Sequence, residues 1–220
     1  MNLFKILKII FWSFSLFLLN PTVMAQNLLE ISQFSKVQDL TDWQKKSFKG
    51  QTSYQTVKEK NKIILMAKSQ SSASGLFKEI KVDLTKTPYL NWSWKISNQL
   101  TGLNETQKSG DDYAARLYLV KKSKYLVWKT KVLNYAWSSN QKQNSQWDNA
   151  YASQAKMIAV KGKEAPTKQW FTEKRNVLAD FKQAFGEDIT SVDVVAIMTD
   201  TDDSKQAATA YYGAIYFSQN

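Results

Sequence analysis

The 220-residue sequence contains neither cysteine nor histidine. Without cysteine the chain has no disulfide framework, no thiolate metal site and no cysteine nucleophile. Without histidine it cannot use Ser-His-Asp chemistry, bind zinc through imidazole or carry out imidazole acid–base catalysis. Catalysis would have to use carboxylate, Lys, Tyr or Arg groups, which is compatible with a glycoside hydrolase, with a polysaccharide lyase, or with no catalysis at all.

Arginine, glycine and proline are also scarce. Arg116 and Arg175 are the only two arginines among 30 basic residues. Such sparing use predicts that each arginine serves planar, bidentate pairing, either inside the fold or with a ligand. With seven glycines and three prolines, no linker rich in either residue divides the chain. We therefore expect one domain over residues 26–220.

The first 25 residues have the pattern of a secretory signal peptide. Lys5 and Lys8 precede an apolar run over residues 9–19, Pro21 interrupts the pattern, and small side chains stand at Val23 and Ala25. We predict cleavage after Ala25 and a periplasmic or secreted location. The alternative is a retained membrane anchor, which is disfavoured because the run is shorter than the roughly 20 residues that span a bilayer. No transmembrane segment is expected after cleavage.

The remaining chain is basic. Cleavage would leave 28 basic against 19 acidic residues, a formal net charge of +9. Outside the cytoplasm such a surface commonly meets anionic glycans or phospholipid head groups, and the sequence shows no nucleic-acid-binding motif. Because the lysines are scattered, an ordinary soluble basic surface is the alternative. We expect a glycan or another anionic envelope component as partner, with no cofactor and no nucleic acid.

Hydrophobic alternation predicts an all-β fold, a single jelly-roll-like β-sandwich with one short helix. The helix is expected over residues 177–185, with Asn176 as N-cap and Gly186 as C-terminal stop. The predicted strands are Leu28–Phe34, Ser53–Glu59, Lys62–Lys68, Leu76–Leu84, Tyr89–Ile96, Asp111–Val120, Tyr125–Trp137, Ala155–Val160, Trp170–Asn176, Val192–Thr199 and Ala207–Phe217.

The segment from Gly110 to Arg116 sets two acids, Asp111 and Asp112, and one arginine at the start of a strand-like run. In a strand, Asp112 and Arg116 would share one face while Leu117 takes the core face. The arginine either pairs with a carboxylate inside the fold or lines a cleft. Because a nearby arginine favours the charged form of a carboxylate, Asp112 is predicted to be a structural or ligand-orienting group and not a general acid.

Four aromatic residues stand at strand spacing. Trp92 and Trp94 share a face with apolar neighbours, which predicts core packing. Tyr135 and Trp137 share a face at a strand end beside a polar loop. These two either pack in the core or form a stacking platform for a sugar ring.

Two long polar loops, residues 99–110 and 138–149, adjoin these segments, and the second contains Trp147. Loops at one rim of a sandwich commonly carry binding function. Asp200, Asp202 and Asp203 follow a predicted strand and form either a solvated turn or a loop for a hard cation.

At the junction of the last strand before the helix, Arg175 is expected to pair with Glu173 or Asp180, or to bind a ligand. Both readings use the fork geometry of the guanidinium, which matches a carboxylate in two parallel hydrogen bonds. Structural pairing at this junction is the favoured reading.

Several motifs resemble a known bacterial family, domain of unknown function 3047, over about Phe34 to Phe217. The resemblance implies an exported protein with a jelly-roll-like sandwich, for a family without an established activity. The segment from Trp43 to Tyr54 also looks like that of carbohydrate-binding jelly rolls. The family motifs are Trp92-Ser-Trp94, Gly110-Asp-Asp-Tyr-Ala-Ala-Arg116, Tyr135-Ala-Trp-Ser138, Glu173-Lys-Arg-Asn-Val177, Asp180-Phe-Lys-Gln-Ala-Phe-Gly-Glu187, Ile197-Met-Thr-Asp-Thr-Asp202 and Tyr212-Gly-Ala-Ile-Tyr-Phe217.

Three functions are compatible with these features. The first is a non-catalytic binding module for a glycan or other envelope component; the second is a carbohydrate-active enzyme using carboxylate, Lys or Tyr groups. The third is a structural envelope protein whose basic surface meets anionic head groups. We expect the ligand-binding residues to be Asp111, Asp112, Arg116, Tyr135, Trp137 and Arg175, without a catalytic or metal-binding set.

Overall fold

The computed structural model describes residues 28–35, 40–123 and 125–220. The predicted signal peptide lies outside these ranges. Within them, no helix has the length and apolar character needed to cross a membrane. The elements are β1 (Leu28–Ser32), β2 (Gln44–Lys49), β3 (Ser53–Glu59), β4 (Lys62–Gln70), β5 (Ala73–Asp83), β6 (Tyr89–Ile96), β7 (Ala115–Lys121), β8 (Lys131–Trp137), β9 (Gln146–Asp148), β10 (Ala155–Lys161), β11 (Phe171–Asn176), α1 (Val177–Phe185), β12 (Ser191–Asp200) and β13 (Ala207–Ser218).

These strands form two sheets packed as a sandwich. Sheet A has the order β11-β6-β13-β4-β3, with β1 also paired to β13, and sheet B has the order β2-β5-β12-β7-β8-β10-β9. Strands β8 and β10 run parallel, whereas the other pairings among the described strands are antiparallel. The predicted all-β, jelly-roll-like sandwich with one short helix is confirmed.

Aromatic rings join the two sheets across the core. Trp92 of sheet A stacks on Tyr135 of sheet B with ring centroids 5.3 Å apart, and Trp94 packs against Trp137 at 5.6 Å. The core packing predicted for Trp92 and Trp94 is therefore confirmed. Inward-facing residues from both sheets interdigitate, as in other face-to-face sandwiches.

Helix α1 begins and ends where the sequence predicts. The Asn176 side chain accepts a hydrogen bond from the Ala179 backbone N–H at 3.1 Å, which caps the first turn. At the other end Gly186 adopts a left-handed conformation, with φ of 70°, and its N–H donates to the Lys182 carbonyl. These caps fix the short helix between β11 and β12.

Two predicted strands begin later than expected. The strand predicted from Asp111 begins at Ala115, because residues 108–110 form a 3-10 turn and the Asp111 N–H donates to the Lys108 carbonyl. The strand predicted from Tyr125 begins at Lys131, because Val127–Lys129 form a 3-10 turn and the Ser123 N–H donates to Thr130 Oγ1. The first correction places two candidate ligand residues, Asp111 and Asp112, in a loop.

Candidate functional site

Arg116 lies at the start of β7 and pairs inside the protein. Its Nη2 donates to Asp200 Oδ2 at 2.7 Å, and its Nη1 lies 4.0 Å from Asp111 Oδ2. The arginine is 9% exposed. Of the two predicted roles, the structure shows the internal pair, with Asp200 of the neighbouring strand β12 as its nearest partner.

Burial dominates the electrostatics of this pair. Desolvation raises the pKa of Asp200 well above its usual range, nearby Asp112 and Asp111 add to this effect, and Arg116 opposes it. Asp200 Oδ1 and Arg116 Nε have no hydrogen-bond partner among the described residues. The pair thus places polar atoms in a low-dielectric environment, where a hydrogen-bonded contact is strong and an unpaired atom is costly.

Asp112 has a separate structural role. It is fully buried, and its carboxylate accepts hydrogen bonds from the Ser204 N–H at 2.6 Å and the Asp203 N–H at 3.3 Å. These bonds hold the turn that follows β12. Of the two roles predicted for Asp112, structural and ligand-orienting, this geometry corresponds to the structural one.

Three carboxylates meet at this turn. Oxygen atoms of Asp112, Asp202 and Asp203 lie within 4.8 Å of one another. Carboxylate oxygens are ligands for hard cations, so these residues could hold one. The protein also supplies positive charge here, because Lys49 Nζ lies 3.8 Å from Asp202 Oδ2 and Lys205 Nζ donates to the Asp202 carbonyl.

Buried Glu105, which the sequence did not single out, pins the two predicted long loops together. Its carboxylate accepts hydrogen bonds from the Ser138 hydroxyl and from the Ser139 N–H at 2.7 Å. The Trp147 indole N–H donates to the Glu105 carbonyl at 3.2 Å. Burial raises the pKa of Glu105, and the serine hydrogen bonds oppose that shift.

The joined loops also contact the acidic turn. Asn149 Nδ2 donates to Asp111 Oδ1 at 2.8 Å, and the Tyr151 hydroxyl lies 3.0 Å from both carboxylate oxygens of Asp203. Tyr151 is exposed, with Lys108 Nζ 5.4 Å from its ring centroid. The two loops and the turn after β12 therefore form one rim of the sandwich.

The other predicted ligand residues lie elsewhere. Tyr135 is 0% exposed and Trp137 is 1% exposed. Neither ring presents a face to solvent, so the structure corrects the predicted stacking platform: both rings serve as core. Inward alternation along β8 directs them against the tryptophans of sheet A.

Arg175 forms a bidentate ion pair with Asp180 of helix α1, at 2.6 and 2.9 Å. Asp180 also accepts a hydrogen bond from the Tyr135 hydroxyl at 2.8 Å. Arg175, Asp180 and Tyr135 thus form one network that fastens α1 to the core. The predicted ligand residues therefore do not line one cleft. Arg116, Asp111 and Asp112 lie at the rim and the outer face of sheet B, whereas the other three belong to the core and its link to α1.

A surface that the sequence did not identify lies on the outer face of sheet B. Leu117 and Leu119 of β7 point into the core, so Arg116 and Tyr118 point outward. Strand register continues this face across the sheet. We call the resulting set the outer row: Phe77, Ala196, Tyr118, Asn134, Met157 and Trp147.

Three aromatic members of the outer row, Phe77, Tyr118 and Trp147, are half-buried and so remain partly accessible. The Tyr118 hydroxyl lies close to Gly75, where no side chain obstructs it. A Cβ at position 75 would lie 3.3 Å from the Tyr118 hydroxyl oxygen and 3.0 Å from the Ile197 carbonyl oxygen. Burial raises the pKa of Tyr118, so its phenol is a neutral donor and acceptor.

A second missed feature is the loop between β7 and β8. Tyr125 is 88% exposed and Trp128 is 71% exposed. Their β-forming neighbours favour a strand by propensity, which is why the sequence prediction placed them in one. The lysines on both sides were a signal that could have marked this segment as a surface loop.

Comparison with known proteins gives the same fold. Family 11 and family 30 carbohydrate-binding modules of Clostridium thermocellum cellulosomal cellulases each share 12% identity and a TM-score of 0.51. The alignment with the family 11 module covers 90% of this chain and 97% of the module. The alignment with the family 30 module covers 87% of this chain and 96% of the module. The cellulose-induced protein Cip1 aligns at 10% identity and a TM-score of 0.51, over 86% of this chain and 96% of Cip1.

At such identities the likeness concerns the fold alone. No curated protein matches the chain in sequence. Residues 41–216 match the family described as protein of unknown function (DUF3047), so the chain belongs to that family.

Proposed function

We propose that this protein is a non-catalytic glycan-binding module whose binding surface is the outer face of sheet B. The observation that carries the proposal is the outer row, in which Phe77, Tyr118 and Trp147 are partly accessible on one face. Planar aromatic rings stack on the apolar sides of sugar rings, and a phenol or indole adds a polar edge.

The geometry of the row suits an extended ligand. Phe77 and Tyr118 lie on strands separated only by β12, so their backbones are about 10 Å apart. Ala196 lies between them in the register, and the Tyr118 side chain extends across β12 until its hydroxyl oxygen lies beside Gly75 of β5. An oligosaccharide lying across the strands could contact both rings.

Polar groups border this row. Arg116 lies beside Tyr118 on the outward face of β7, held by Asp200, and Asn134 follows Tyr118 in the register. Asp111 and Asp112 fix the adjacent rim. Among the predicted ligand residues, these three charged groups remain in the proposal as residues that position the surface, whereas Tyr135, Trp137 and Arg175 support it from the core.

The related folds support this proposal by analogy. Two of the similar structures are named as carbohydrate-binding modules, and they align over nearly their whole length. A fold hosts many functions, so the argument rests on the outer row and the analogy adds to it. We also propose that the protein is exported after cleavage at Ala25, which N-terminal sequencing of protein from the cell envelope tests.

The test of glycan binding compares variants on a panel of immobilised polysaccharides. We expect Tyr118→Ala and Phe77→Ala each to weaken retention by about tenfold, because each removes one stacking ring. Trp128→Ser, which changes an exposed aromatic outside the outer row, is the matched control and should retain binding. Unchanged retention in both outer-row variants, with normal unfolding transitions, would reject this surface.

A further inference from the structure

The loop between β7 and β8 presents a short apolar tip. Tyr125 and Trp128 are exposed and, in the sequence, enclose Leu126 and Val127. Large aromatic side chains are usually buried, so two neighbouring exposed ones indicate a surface that contacts something apolar. The outer row does not include this tip.

Lysines surround the tip on both sides. The sequence from Lys121 to Lys131 contains five lysines and no acid. Tyrosine and tryptophan favour the interface between the head groups and the acyl chains of a bilayer. Lysines favour anionic head groups. An apolar tip flanked by lysines therefore has the composition of a loop that binds a lipid surface.

Hydrogen bonds connect described residues of this loop to one another. The Lys129 N–H donates to the Leu126 carbonyl at 2.8 Å, and the Leu126 N–H donates to Ser123 Oγ at 3.3 Å. At the base, the Ser123 N–H donates to Thr130 Oγ1 at 3.4 Å. Hydrogen bonds that exist before docking reduce the conformational entropy lost on docking.

Ion pairs fasten the base of the loop to the sandwich. Lys121 lies 3.2 Å from Asp193 of β12, and Lys122 lies 2.7 Å from Glu79 of β5. Lys131 lies 3.0 Å from a third acid, Glu187. These acids pair with Lys121, Lys122 and Lys131, and exposed Lys129 lies directly beside Trp128.

We propose that this loop docks the protein on the surface of an anionic phospholipid bilayer. Tyr125 and Trp128 enter the head-group region while Lys129 contacts lipid phosphates. A single small tip gives reversible binding, since stable anchoring requires more than one signal. The inference is independent of the glycan-binding proposal because it uses different residues.

The test is co-sedimentation with phosphatidylcholine vesicles that contain or lack phosphatidylglycerol. We expect binding to the anionic vesicles, weakened about tenfold by Tyr125→Ser or Trp128→Ser through loss of interfacial aromatic area. Lys129→Ala should weaken it about fivefold, the factor expected for one lysine near an anionic surface. Phe48→Ser, which changes another exposed aromatic, is the matched control and should bind like the wild type.

Tryptophan fluorescence provides a second readout. Anionic vesicles should shift the wild-type emission to shorter wavelength, and the shift should be lost in Trp128→Phe. The proposal is overturned if the wild type does not sediment with anionic vesicles, or if Trp128→Ser sediments equally well. It is also overturned if Trp128→Ser loses retention on an acidic polysaccharide while vesicle binding is unchanged, which would assign the loop to a glycan.

Discussion

Single buried carboxylates hold the rim together, and Asp112 is the clearest case. Its two oxygens accept backbone N–H groups of Asp203 and Ser204. Asp112→Asn replaces one acceptor by an amide donor that faces a backbone donor, so we expect a loss of about 1–3 kcal/mol in the free energy of unfolding. Urea titration measures this, and the exposed Asp148→Asn should change stability by less than about 0.5 kcal/mol. Equal effects would contradict the assigned role.

The pair of Arg116 and Asp200 gives a second prediction at this scale. Arg116→Met removes the nearest cation from a buried carboxylate, so the protein should lose about 3–5 kcal/mol of stability. Adding Asp200→Asn should restore part of the loss, because the buried carboxyl group that lost its partner is then replaced by a neutral amide. The two single variants and the double variant are compared by urea unfolding. Strictly additive losses would show that the two side chains are not coupled.

Residue-scale features differ in how far the sequence could predict them. Alternation identified Leu117 and Leu119 as core residues, and the scarcity of arginine predicted that Arg116 pairs with a planar acid, either inside the fold or on a ligand. Neither pattern could identify Asp200 as the partner of Arg116, because that contact depends on the register of β7 with β12, a strand far along the chain. Nor could alternation decide which face of β8 is covered, so the burial of Tyr135 remained open until the sheets were placed.

At the scale of elements, strong local sequence patterns were sufficient to predict where a strand or helix begins and ends. Strand β6 and helix α1 begin and end as predicted, because apolar alternation and a capped apolar stripe are local signals. Strand β2 was missed because its sequence, Gln-Lys-Lys-Ser-Phe-Lys, is polar and exposed, and pairing with β5 defines it. Residues 125–130 were predicted as strand for the opposite reason, since their composition favours a strand, whereas their hydrogen bonds form a 3-10 turn.

The two rim loops give a pH prediction. Burial raises the pKa of Glu105 in the folded protein above its value in the unfolded chain. The folded state therefore binds a proton at higher pH than the unfolded state, so this group adds stability as pH falls from neutral toward about 4.3, the ordinary value for glutamate. Below that value both states are protonated and the gain is complete.

Urea unfolding across this pH range measures the effect. Glu105→Gln should show a smaller gain in stability on acidification than the wild type, because it carries no titrating group at this position. Glu187→Gln, an exposed glutamate paired with Lys131, is the control and should retain the wild-type gain. If the two variants responded alike, Glu105 would not be the group responsible.

At the scale of the whole molecule, we expect net charge and the aromatic outer row to act together in polysaccharide binding. The chain expected after cleavage has a net charge of +9, and exposed Lys46 lies on the same outer face as Tyr118. We expect stronger retention on acidic than on neutral polysaccharides, with retention on the acidic ones falling as salt rises because exposed charges are screened. Affinity electrophoresis at several salt concentrations measures this. Equal, salt-independent retention on both classes would show that stacking alone governs binding.

The absence of turnover is the last expectation. Glycoside hydrolysis by carboxylates requires two acids placed across one bond, one of them protonated and free to act. Here Asp111 accepts hydrogen bonds from Asn149, Asp112 accepts them from the turn after β12, and Asp200 pairs with Arg116. Because each acid is already engaged by the protein, we expect no release of reducing ends or unsaturated sugars from a panel of envelope polysaccharides. Turnover that Asp112→Asn abolishes without lowering the melting temperature would replace the binding module by a carbohydrate-active enzyme.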